Sequence, residues 1–191
     1  FYRSGQMVRQ VNGGANHGLS CEGDVVYAWP YSYPKTIRWY SVDGEQLGTH
    51  ELETAIEVDT YVFVGGHHYV LGYDEDDDSY SVEIYDGGFT RVQTIRVGTV
   101  EGTGGFAARG DSVYVACRKE HEVRVFSRQT GQRVHTIKGG FYYPAGLAVV
   151  GDHLLMNEMK IDEDFDDKVG RRIFVFELPT GKLQQVVPVQ G

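Results

Sequence analysis

The chain has 191 residues and carries 27 acidic against 18 basic side chains, a net charge of −9. That balance argues against a reader of nucleic-acid backbone or of anionic membranes, either of which needs a basic stripe. No run of about 18 apolar residues is present, so the sequence offers no membrane-spanning helix.

Helical periodicity is absent, and the predicted elements are short strands separated by turn residues. At the N-terminal end, Phe1-Tyr2-Arg3-Ser4-Gly5-Gln6 aligns with Tyr40-Ser41-Val42-Asp43-Gly44-Glu45. Residues 1–11 therefore read as the end of one strand, a turn and an orphan outer strand. Four copies of one pattern follow, over residues 12–52, 53–98, 99–138 and 139–191. Each has a glycine, a polar residue and a hydrophobic strand: Gly23-Asp24-Val25, Gly65-Gly66-His67, Gly110-Asp111-Ser112 and Gly151-Asp152-His153. The steps between lead glycines are 42, 45 and 41 residues. Each copy then has a strand ending in an aromatic residue and a second turn glycine: Tyr40…Gly44, Tyr85…Gly87, Phe126…Gly131 and Phe176…Gly181.

The third copy shows the grammar most clearly, with strands over 106–109, 112–117, 123–126 and 132–137. Residues 123–126 alternate apolar and polar, as a half-buried strand does. A period of 40–45 residues carrying four short strands predicts an all-β fold, a β-propeller of four complete four-stranded blades plus one extra outer strand. The regular period favours this over a β-sandwich. Four blades and a strand do not close a ring neatly, and open edges invite pairing. The expectation is thus an arc of a propeller of six or more blades, completed by the rest of its own chain or by a second chain. A self-contained four-bladed ring is the alternative.

Two segments carry a family resemblance. Tyr143-Pro144-Ala145-Gly146-Leu147-Ala148-Val149, Gly151-Asp152, Ile173-Phe174-Val175-Phe176 and Thr180-Gly181-Lys182 resemble an NHL-type or YncE-like propeller repeat. Gly110-Asp111-Ser112-Val113-Tyr114-Val115-Ala116 with Arg124-Val125-Phe126 resembles it too. The family usually has Asp where the second strand ends; Pro30, Gly72, Cys117 and Glu158 stand there in this chain. The resemblance implies binding on the face that gathers the inter-blade connections and the loops between second and third strands.

On that face two loops are strongly acidic. Asp74, Asp76 and Asp78 alternate in one, and Asp162, Asp164 and Asp166 in the other. Alternate carboxylates on a curling loop are candidate ligands for Ca²⁺, a hard cation taking oxygen donors. The EF-hand glycine and glutamate are missing, and a solvated hairpin is the plain alternative. Aromatics form a second candidate surface, with Trp29, Tyr31 and Tyr33 in one loop and Tyr142 and Tyr143 in another. Such rings serve either contact with a partner or packing between blades.

His17 aligns with Asp59, Gly104 and Ala145 at the entry to the inner strand. With Glu158 it is a candidate metal ligand or general base, since lactonase-like propellers place metal-binding carboxylates and an Asn there, and Asn157-Glu158 echoes that pattern. Nucleophile-elbow, phosphate-loop and zinc motifs are absent. Cys21 and Cys117 fall at non-equivalent repeat positions and read as free thiols; with no Asn-x-Ser/Thr sequon, the lean is towards an intracellular setting.

The expectation for function is a non-catalytic scaffold binding another protein through Trp29, Tyr31, Tyr33, Asp59, Tyr142, Tyr143, His17 and Glu158. The alternatives are a lactonase- or lyase-type enzyme with a divalent metal in the channel and, against the charge balance, an RNA-binding NHL domain.

Overall fold

The computed structural model describes residues 2–3, 6–7, 16–30, 35–159 and 172–189. Tyr31, Tyr33, Asp162, Asp164 and Asp166 lie outside the described residues, and the His17 side chain is likewise outside them. The described elements are all strands. β1 (Tyr2–Arg3) and β2 (Gln6–Met7) pair with each other in antiparallel register.

Four antiparallel four-stranded sheets follow, each a meander of consecutive strands. The first comprises β3 (Asn16–Glu22), β4 (Val25–Pro30), β5 (Thr36–Ser41) and β6 (Gln46–Glu51). The second has β7 (Glu57–Val64), β8 (His67–Asp74), β9 (Ser79–Asp86) and β10 (Arg91–Gly98). The third has β11 (Thr103–Arg109), β12 (Ser112–Cys117), β13 (Glu122–Ser127) and β14 (Arg133–Lys138). The last has β15 (Tyr143–Val150), β16 (His153–Met159), β17 (Arg172–Glu177) and β18 (Lys182–Pro188). Four such meanders are the blades of a β-propeller.

The lead glycines make these hairpins possible. Gly23, Gly110 and Gly151 have φ of 58°, 57° and 53°, while the Asp that follows each has none of the positive-φ geometry. A positive φ at only the first central residue is the type II′ hairpin turn, which needs glycine there. The following Asp has its own task. The carbonyls of Asp24, Asp111 and Asp152 accept from the backbone N–H groups of Val42, Arg128 and Leu178, at 3.0, 2.6 and 2.9 Å. Those donors belong to the turns between third and fourth strands, so the two turns of a blade are tied together.

The chain divides into two compact units, 1–94 and 95–191. In the first, Trp29, Ile37, Ile56, Val58, Tyr61 and Val70 pack with their neighbours into one cluster. In the second, Val123, Val125, Ile137, Leu154, Met156, Phe174 and Phe176 form another. Side chains of this size stabilise by about 1.5–3 kcal/mol each when fully buried. Within each unit neighbouring inner strands approach closely. A Cβ on Gly105 of β11 would lie 2.9 Å from the Ala145 carbonyl oxygen in β15. Gly18 of β3 meets the backbone of Tyr61 in β7 in the same way. Only glycine fits at either crossing.

Candidate functional site

The position where His17, Asp59, Gly104 and Ala145 align is a β-bulge in every inner strand. The register slips between Asn16 and Gly18, Val58 and Thr60, Thr103 and Phe106, and Pro144 and Leu147. A bulged residue leaves the ladder and re-aims its side chain. Asp59 is exposed there.

The buried carboxylates answer a different need. Glu158 is 1% exposed, and its Oε2 accepts from Arg172 Nε at 2.7 Å. Its Oε1 accepts from Arg172 Nη2 at 2.8 Å and from the Tyr142 N–H at 2.6 Å. The guanidinium also lies 5.0 Å over the Phe174 ring. Glu158 is thereby committed to holding residue 142, in the segment that enters its own sheet.

Glu122 acts through an arginine in the third sheet. It accepts from Arg124 Nε at 2.8 Å and pairs with Lys138 at 3.2 Å, while Arg124 Nη1 donates to the Val97 carbonyl at 2.9 Å. Burial alone would raise the Glu122 pKa, but hydrogen bonds from Arg124 and Lys138 outweigh it and leave it below the usual carboxylate range. In the second sheet Glu83, 2% exposed, accepts from Arg91 Nη1 at 2.7 Å, from Tyr85 OH at 2.6 Å and from Thr54 Oγ1 at 2.5 Å. Three blades thus bury a carboxylate neutralised by arginine; Glu83 and Glu158 fasten the segment that enters their own sheet, while Arg124, held by Glu122, ties the third sheet to Val97 in β10.

The aromatic and acidic candidates separate by burial. Trp29 is fully buried, 5.7 Å from Tyr61, and Phe141 is buried beside Phe174. Tyr142 is 56% exposed and Tyr143 half-buried. The His121 ring meets both edge-on at 5.9 and 5.6 Å, and its Nδ1 hydrogen-bonds the Tyr142 carbonyl. The first acidic loop is an ordered turn. Asp74 Oδ1 accepts from the Asp76 and Asp77 N–H groups at 3.1 and 3.4 Å, and Tyr73 OH donates to Asp78. That hydrogen bond is the main cause holding the Tyr73 pKa above its usual value. Residues 75–78 are exposed, and no three-ligand metal group occurs among the described residues.

One cluster escaped the sequence reading. Phe89 has φ of 64°, and its ring is stacked between His50 at 4.0 Å and His68 at 4.4 Å. Left-handed geometry in a bulky residue costs about 1–3 kcal/mol. The turn glycine expected in this repeat is Gly87. The left-handed residue is instead Phe89, whose N–H donates to Asp86 while the Asp86 N–H donates back to Thr90.

These sheets define the class of fold as a β-propeller, and solved structures agree. The chain matches a Kuenenia stuttgartiensis hydrazine synthase chain with TM-score 0.64 and 16% identity, over 100% of this chain and 53% of that one. A chain of a nidogen/laminin complex matches with TM-score 0.65 and 16% identity, over 94% and 66%. The computationally designed Ika4 protein matches with TM-score 0.58 and 16% identity, over 91% and 98%. The chain thus spans about half the length of the hydrazine synthase chain. In all 884 solved chains match, the mark of a widely reused fold and not of one activity. No protein-family model matches the chain, and no curated protein matches its sequence. The NHL-type resemblance accordingly stands at the level of the propeller fold.

Proposed function

We propose that this chain is a non-catalytic interaction scaffold whose blades present loops to a protein partner. The observation that carries this reading is how its acids are divided. Glu83, Glu122 and Glu158 are buried and engaged by arginine, whereas residues 75–78 are exposed, with Asp78 accepting from Tyr73 OH. An enzyme built on Glu158 as metal ligand or base would first have to break its pairing with Arg172. The partner surface is basic where it meets loop 73–79.

Affinity capture from cell extract tests this, using the wild-type chain beside a Glu75→Gln/Asp76→Asn variant. Association through rim carboxylates is screened by salt. At least one partner is expected to be held at low salt, released at about 0.5 M salt and weakened about tenfold by the variant. The same captured proteins under all three conditions would remove the loop from the interface.

A further inference from the structure

The repeats of this chain serve as controls for one another, and two departures from their pattern meet at one place. The turn from third to fourth strand is closed by Ser41 N–H to Glu45 O, Asp86 N–H to Thr90 O and Ser127 N–H to Gln132 O. The left-handed residue inside it is Gly44, Gly131 or Gly181 in three sheets, with φ of 83°, 69° and 68°. In the second sheet it is Phe89. The other departure is His50. It lies opposite Ile37 in the β5–β6 ladder, where the third sheet sets Ile137 opposite Val123 and the fourth sets Val187 opposite Ile173. A half-buried imidazole thus stands where the third and fourth ladders have an aliphatic residue.

In the second unit the corresponding groove is filled. Gly181 sits so close to β14 that a Cβ would come within 2.9 Å of Ile137 Cγ1 and 3.0 Å of His135 Nε2. In the first unit His50 and Phe89 are instead stacked into an aromatic wall, and beside it lies a cavity of about 370 Å³. Its other sides include Tyr85, Thr90, Arg91, Glu51 and Glu53. That volume is in the range of small-molecule sites.

The lining decides the kind of ligand. Glu83 already takes hydrogen bonds from Thr54, Tyr85 and Arg91. Arg91 is half-exposed and offers more donors than the one bonded to Glu83. Glu51 and Glu53 are exposed acceptors. With two acids at the rim and the arginine neutralised by Glu83, a phosphate or carboxylate anion is disfavoured. Planar donors and acceptors set around an aromatic wall suit vicinal hydroxyls, which donate and accept at once, on a ring with an aliphatic face. We propose that this groove is a binding site for one or two residues of a neutral saccharide, with the His50 ring, held in place by Phe89 stacked between it and His68, and the edge of Phe89 forming one wall, and Arg91, Glu51 and Glu53 engaging hydroxyls.

The test is saturation-transfer NMR on the full chain with neutral mono- and disaccharides, and free α-amino acids as a second panel. Saturable binding in the millimolar range is expected for at least one saccharide, an affinity suited to a half-open site. Phe89→Gly restores the residue type of the other three turns and His50→Ile that of the third blade, so both should fold, and each should weaken binding at least tenfold. Glu53→Gln, at an exposed position, should weaken it without touching the core. Absence of saturable binding, or equal binding by wild type and all three variants, overturns the site. Binding of amino acids in place of saccharides overturns the ligand class.

Discussion

Acidification from neutral pH to about 4.5 should cost the fold about 2.5 kcal/mol through His68 alone. The ring is 1% exposed, stacked against Phe89 and 4.5 Å from Phe63, with Tyr61 OH 2.8 Å from its Nδ1. Burial is the main cause that lowers its pKa from 6.5 to about 4; His50 and His67 add to the effect, and Asp86 opposes it. Between those two values the unfolded chain binds a proton that the folded chain refuses. The stabilisation is therefore complete above pH 6.5 and is lost as pH falls towards 4. The two pKa values give a loss of about 1.4 kcal/mol at pH 5.5 and about 2.5 kcal/mol at pH 4.5. Urea unfolding of wild type and His68→Phe at several pH values isolates this contribution, because the carboxylates titrate in both proteins. The variant leaves the Tyr61 hydroxyl, in a residue 2% exposed, without its partner, at a cost of about 1–3 kcal/mol near pH 7. Its disadvantage should shrink on acidification and the two stability curves should cross near pH 5. A constant gap between the proteins across that range would refute the reasoning.

Two further outcomes follow from the buried groups. Arg172→Leu strands the Glu158 carboxylate, whose side chain is 0% exposed, and should destabilise by about 3–5 kcal/mol in chemical denaturation; a loss under 1 kcal/mol would mean that solvent reaches Glu158. Cys117 is fully buried, and burial, partly countered by Arg124, pushes its thiol up to about 12. A thiol reagent near pH 8 should therefore modify the exposed Cys21 quickly and Cys117 only on unfolding; two fast equivalents per native chain would contradict this.

The blades were legible because their punctuation is local. Gly23, Gly110 and Gly151 announce turns that only glycine makes, and the strands between them carry β-branched and aromatic residues at fixed spacing. The bulges were hidden, since one extra residue in an inner strand changes no composition. The role of Glu158 was hidden too, because Arg172 lies 14 residues away and no spacing rule joins the two. Trp29 belongs to the core because its ring meets Tyr61 from the next blade, a contact between repeats that no single repeat displays. Phe89 was hidden as well, because Gly87 and Gly88 stand directly before it and offer the glycine such a turn ordinarily uses.

The carboxylate ties bear on how such a chain diverges. Each stays within about one repeat, spanning 29 residues from Thr54 to Glu83, 27 from Val97 to Arg124 and 16 from Tyr142 to Glu158. The second or the fourth blade copied whole therefore carries its own fastening with it, whereas the third is tied to Val97 in the last strand of the second. The copies nonetheless make the fastening differently, with the acid inside the third strand in Glu83, at its start in Glu122 and in the second strand in Glu158. The linkage persists while the residues that make it change places. Modules of this kind drift apart in sequence and still join edge to edge, so the second or the fourth blade transplanted into another propeller should bring its entry segment already fastened.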